Sequence, residues 1–113
     1  MQITNKVVIV TGASQGIGKS LAIELGRRNA IVIIAARSIG KLREVESKIK
    51  SYNGIVFPVI LDVTSKNSIK SMVQKVIARY GKIDILINNA GVGLFENVAK
   101  SKENDIKKVF ETN

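Results

Sequence analysis

Apolar, β-branched residues recur in short runs at positions 7–10, 31–35, 55–61 and 83–87, and each run is continuous instead of alternating with polar positions. Strands of that kind are buried on both faces, as in a parallel sheet covered by helices. Between the runs the period changes. Ile17, Leu21 and Leu25, then Leu42, Val45 and Ile49, then Ile69, Met72, Val73, Val76 and Ile77 fall at helical spacing. Each set predicts one apolar stripe on an otherwise polar helix. A fourth helix is expected after Ser101, a suitable N-cap, with Ile106, Val109 and Phe110 on one face; Asn113, the last residue, falls inside it. The predicted order is βαβαβαβα.

The first strand runs straight into Thr11-Gly12-Ala13-Ser14-Gln15-Gly16-Ile17-Gly18, and the first helix leaves from it. Glycine has distinct uses at such a junction: a sharp turn off the strand, close approach of backbone to a pyrophosphate, and tight contact of helix with strand. The phosphate is then held by the orphan N–H groups and the positive dipole end of the helix, without any charged side chain. A glycine-rich connection with no ligand is the plainer alternative, because three glycines alone are a weak signal. With right-handed crossovers the element order gives an α/β fold, a doubly wound parallel sheet whose strand order is 3-2-1-4 by analogy with dinucleotide-binding domains. Its ligand crevice lies at the carboxyl ends of strands 1 and 4.

Composition narrows the chemistry. A chain of 113 residues, 45% hydrophobic, is one domain or less with material for one core. It has no cysteine and no histidine, which leaves no disulfide framework, no Cys-based metal site and no imidazole base, so no metal is expected. The N-terminus lacks a secretory pattern, and no apolar run approaches the roughly 20 residues needed to span a bilayer, so a cytoplasmic protein without a membrane partner is expected. A net charge of +9 raises nucleic acid as a partner. The lysines, however, are spread over every predicted helix and the few aromatics do not interleave with them, so a solvated surface is the preferred reading.

The glycine turn, Asp62-Val63 after the third strand, Asn88-Asn89-Ala90-Gly91 after the fourth, and Asn113 in the last helix occur in an order and spacing that resembles the N-terminal half of a short-chain dehydrogenase/reductase. The resemblance runs from about Lys6 to Asn113. It implies a Rossmann-type domain, partial over 1–113 and truncated within the fourth helix, that binds a nicotinamide dinucleotide. The implied reaction is reversible hydride transfer between a small carbonyl compound and an alcohol, in which the organic step belongs to the cofactor. By the same resemblance Gly12, Gly16 and Gly18 shape the pyrophosphate turn, with the Ile17 backbone N–H facing the phosphates. Asp62 accepts from the adenine amino group, Val63 offers its backbone N–H to the ring, and Asn89, Ala90 and Gly91 line the adenosine-ribose side. Thr11 and Asn88 tie the two central strands together. Plainer readings stand beside these: a helix-capping Asp62, a strand-end Val63, and a simple turn at 89–91.

Cofactor choice in a dinucleotide fold is written at the end of the second strand, where an acid would bind the ribose 2′-hydroxyl of NAD. Here the residues are Ala35-Ala36-Arg37-Ser38. Without a carboxylate to repel a 2′-phosphate, Arg37 can grip one with its planar fork, and Ser14 and Ser38 can add hydroxyl donors. NADP is therefore favoured over NAD, with an exposed capping arginine as the alternative. Gln15 departs from the basic residue that NADP-preferring relatives often carry in the turn.

The family's catalytic tyrosine, the lysine four residues after it and its serine normally follow the point where this chain stops. Tyr52 is followed at that spacing by Val56 and Tyr80 by Asp84, so the chain contains no Tyr-x-x-x-Lys. Of the catalytic group only Asn113 remains, placed by the resemblance in the proton relay. Two functions are open: a fragment of an NADP-dependent oxidoreductase that binds cofactor but lacks catalytic Ser, Tyr and Lys, or a stand-alone nucleotide-binding module with a regulatory or assembly role. Stopping inside an amphipathic helix favours the fragment. An unflanked fourth strand, and a last helix that relatives use in subunit contacts, suggest a homo-oligomer.

Overall fold

The computed structural model describes residues 2–89; the expected fourth helix and Ala90, Gly91 and Asn113 lie outside the described residues. The elements are β1 (Val7–Thr11), α1 (Gly16–Arg27), β2 (Ile31–Ala36), α2 (Ile39–Lys50), β3 (Ile55–Ile60), α3 (Lys66–Tyr80) and β4 (Ile85–Ile87). The four strands form one parallel sheet in the order β3-β2-β1-β4. The expected strand order is therefore observed, and the carboxyl ends of β1 and β4 lie side by side.

Side chains alternate across the pleat, which gives the sheet two cores. Val7, Ile9, Ile33 and Leu86 meet Ile69, Met72, Val73 and Val76 of α3 on one face. Val8, Val10, Val32 and Ile34 meet Ala22 and Leu25 of α1 and Leu42, Val45 and Ile49 of α2 on the other. Each fully buried Val, Leu or Ile contributes about 1.5–3 kcal/mol, so the β1–β2 centre dominates the fold's stability.

Three expectations need correction. Burial on both faces holds for β1 and for nearly all of β2, but β3 is an edge strand whose Ile55 and Ile60 are 48% and 58% exposed. The exposure is at the two ends of a strand that pairs only with β2, an edge position in which Pro58, without an N–H to give, is tolerated. The fourth strand was expected over 83–87 but spans Ile85–Ile87. Ile83 is buried, yet the ladder begins only after Asp84, whose N–H donates to the Val7 carbonyl (2.9 Å) while its carboxylate accepts the Val7 N–H (2.8 Å). A side chain thus occupies the place of the next strand carbonyl. Finally, the buried residues of α1 are Gly18, Ala22, Leu25 and Gly26, whereas Ile17 is 78% exposed. Its position in the first turn puts it ahead of the point where α1 meets the sheet.

Candidate functional site

The turn between β1 and α1 is built by backbone. Gly12 and Gly16 have φ of +65° and +63°, where a Cβ is strained. At Gly18 the constraint is contact: a Cβ there would overlap the Gly12 carbonyl and stand 2.7 Å from Asn89 Nδ2. A Cβ on Gly16 would meet nothing within 4 Å, so the space over the turn is open. The three helices then differ in their starts. Ser38 Oγ accepts the Lys41 N–H (3.3 Å) at α2 and Ser65 Oγ accepts the Ser68 N–H (3.1 Å) at α3, but Gln15 at the head of α1 makes no side-chain cap. The first amides of α1, that of Ile17 included, are left without a capping side chain, and such a helix start can seat a phosphate.

One side of this turn is fixed by the end of β4. The Thr11 hydroxyl, fully buried, donates to Asn88 Oδ1 (3.0 Å) and accepts the Asn89 N–H (2.9 Å). Asn89 Nδ2 donates to the Gly12 carbonyl at 3.4 Å. The tie between the central strands through Thr11 and Asn88 is thus present in the structure. Asn88 Nδ2 is buried with no partner among the described residues.

On the other side, a cleft of about 300 Å³ opens between the ends of β1, β2 and β3. Gly12, Ser14 and Gln15 form one wall, Ala36, Arg37, Ser38 and Lys41 the second, and Leu61 and Val63 the floor. Arg37 is exposed and makes no ion pair with a carboxylate among the described residues, and Ala36 is nearly buried. The α2 N-cap is Ser38, so Arg37 is not a cap. Ser38 Oγ spends a lone pair on that cap and keeps its proton for donation. Asp62 does not cap α3 either, since Ser65 does. Instead Asp62 Oδ1 accepts from the Thr64 hydroxyl (2.6 Å) and the Thr64 N–H (2.9 Å). These two bonds, with a smaller contribution from the Arg37 guanidinium, hold its carboxyl below the usual range and keep it an acceptor. Val63 packs on the core below as well as lining the cleft.

The structure thus brings Gly12, Ser14, Arg37, Ser38 and Val63 to one cleft, and Gly16, Ile17, Gly18 and Asn89 to the turn beside it; Ala90, Gly91 and Asn113 are outside the described residues. Lys41 and Leu61 were missed as contributors. Lys41 reads as a surface lysine and Leu61 as core, and only the fold turns both toward the cleft. Among the described residues no three or more His, Cys, Asp or Glu side chains gather as a metal site, and no helix is long and apolar enough to cross a membrane.

Backbone seat, apolar slot and cationic rim fit the phosphates, adenine and ribose of a dinucleotide. A family model described as short chain dehydrogenase matches residues 6–113. The chain is 37% identical to the "Uncharacterized oxidoreductase Lmo0432" of Listeria monocytogenes over 113 residues, all of this chain and 46% of that protein. It is 36% identical over 93 residues to the Bacillus subtilis "Short-chain dehydrogenase/reductase homolog YusS", covering 81% of this chain and 85% of that one. Among solved structures, a metagenomic short-chain oxidoreductase in complex with NADP superposes with a TM-score of 0.77 at 39% identity, covering 82% of this chain and 42% of that one. The chain spans less than half the length of the Listeria protein and of the metagenomic enzyme.

Proposed function

The chain belongs to the short chain dehydrogenase family, and from that premise we propose that it is the cofactor-binding half of an NADP-dependent oxidoreductase that interconverts small carbonyl compounds and alcohols. A bound nicotinamide supplies the hydride chemistry. This chain's residues bind and orient: the glycine turn and the α1 amides would take the pyrophosphate, and Asp62 and Val63 the adenine. Asn89, with Ala90 and Gly91, would line the adenosine ribose. Arg37, with Ser14 and Ser38, would take the 2′-phosphate.

The observation that carries the NADP preference is Arg37 on the rim of the cleft, unpaired with any carboxylate among the described residues and next to Ala36 where an acid would select NAD. Equilibrium titration is the test. NADPH should bind more tightly than NADH, and Arg37→Asp should reverse the order; equal affinities in the unmodified chain would sink the reading. The reading assigns the proton relay's tyrosine and lysine to sequence other than these 113 residues, which contain no Tyr-x-x-x-Lys. Acid–base help contributes a factor of about 100 to 10,000, so the chain by itself should not oxidise NADPH with a panel of aldehydes and ketones. Any turnover abolished by Asn113→Ala would refute that. A cytoplasmic homo-oligomer completes the reading, supported by the absence of cysteine and by the exposed sheet edge.

The second reading is a nucleotide-binding module without catalysis of its own. The likeness to YusS favours it, because there the match covers most of the relative and not merely its first half. Its signature is selective NADPH binding with no turnover even when a family segment carrying Tyr-x-x-x-Lys is joined to the chain, whereas the first reading expects that completed protein to oxidise NADPH.

A further inference from the structure

The cleft holds a second cation that the glycine turn's sequence does not announce. Lys41 lies in the first turn of α2, and its ammonium donates to Gln15 Oε1 at 3.1 Å, across 26 positions of sequence, so the contact bridges the two walls. A cation in the first turn opposes the helix dipole, so Lys41 does nothing for the helix it sits on. Its charge is also uncompensated. Like most lysines of the described residues Lys41 pairs with no carboxylate, and neither does Arg37; what sets these two cations apart is that they line the same cleft. Gln15 is suited to hold the ammonium there: an amide oxygen orients it without cancelling its charge, as a carboxylate would. The ammonium has three donors, of which Gln15 takes one.

We propose that Lys41 is a second 2′-phosphate ligand of this chain and its co-determinant of NADP preference, with Gln15 as the residue that positions it. The inference rests on the NADP reading above. It explains how a turn with neutral Gln15 can serve a dianionic group: the cation arrives from α2.

The test uses 2′,5′-ADP and 5′-AMP, which differ only in the 2′-phosphate, titrated into the 113-residue chain and its variants, with a thermal melt of each. Lys41→Met should weaken 2′,5′-ADP about tenfold and 5′-AMP less than about twofold, the usual worth of one charge-assisted contact. Lys41→Arg should restore most of the loss, and Gln15→Leu should weaken 2′,5′-ADP about threefold more than it weakens 5′-AMP. If Lys41→Met leaves the ratio of the two ligands as it was while Arg37→Met removes it, or weakens both ligands equally, Lys41 has no such role. An unmodified chain that fails to distinguish the two ligands would instead overturn the NADP reading itself. Lys41 is exposed and its side chain supports no core, so the variants keep the fold.

Discussion

The turn after β1 and the turn after β2 face one cleft but are made of different material. In the first, Gly12, Gly16 and Gly18 remove side chains so that backbone can curve and offer amides; in the second, Arg37, Ser38 and Lys41 present side chains on a capped helix start. Backbone amides suit a pyrophosphate, which every dinucleotide has. On the NADP reading, side chains at the second turn would meet the ribose, where NAD and NADP differ. Binding as such and discrimination between cofactors are therefore expected to separate between two segments about 20 residues apart, the spacing usual in this fold.

The largest effect should come from the first turn. Gly18→Ala forces a Cβ against the Gly12 carbonyl and the Asn89 amide, so stability should fall by about 3 kcal/mol and binding of both dinucleotides should vanish together. A variant that melts normally and binds either one would show that the close approach is not needed. Next, Arg37→Asp should swing the NADPH/NADH affinity ratio by about 100-fold, mostly by loss of NADPH, while the melting temperature stays put. A parallel loss of both cofactors would erase the distinction between the two turns.

A third change lies at the opposite end of the strands. Asp84 is 19% exposed, accepts the Val7 N–H and pairs with Lys82 at 3.0 Å. Burial opposes its charge, but the Val7 N–H, Lys82 and Lys6 outweigh that and hold its carboxyl below the ordinary value of 3.8. A depressed carboxyl stabilises the fold fully above its unfolded pKa and loses that contribution as pH falls through the lower folded value. Asp84→Asn should cost about 1–2 kcal/mol in denaturant melts at pH 6, and the gap from the parent should close as the pH drops below about 3.8. The ratio of cofactor affinities should not move, and a shift in it would mean that sheet stability and discrimination are coupled.

The smallest effect is expected at Asp62. Its acceptor oxygens would meet adenine, which both cofactors share, so Asp62→Ala should weaken NADPH and NADH alike by about fivefold in calorimetric titration. A selective loss of one would place Asp62 at the ribose, through its neighbour Arg37.

Much of this was legible in order and spacing. Continuous apolar runs separated by helical periods point to a parallel sheet, because a strand covered by helices on both faces carries no polar alternation; the glycine spacing marks the turn because glycine takes the left-handed φ of Gly12 and Gly16 without strain and leaves room for the close contact at Gly18. The helix caps were less legible: Arg37 and Asp62 were offered as capping residues, and the structure gives those places to Ser38 and Ser65, each of which accepts an amide three residues on. What lay beyond the sequence depended on partners distant along the chain. β3 becomes an exposed edge only once the order β3-β2-β1-β4 leaves it paired on one side. Asp84 shortens β4 because Val7, 77 positions away, presents its N–H there. Lys41 joins the cleft because Gln15 is across it, not beside it in sequence. Periodicity and backbone tolerance are properties of consecutive residues and survive in a linear string; the direction in which a lone charged side chain points is set by the packing of elements that the string keeps apart.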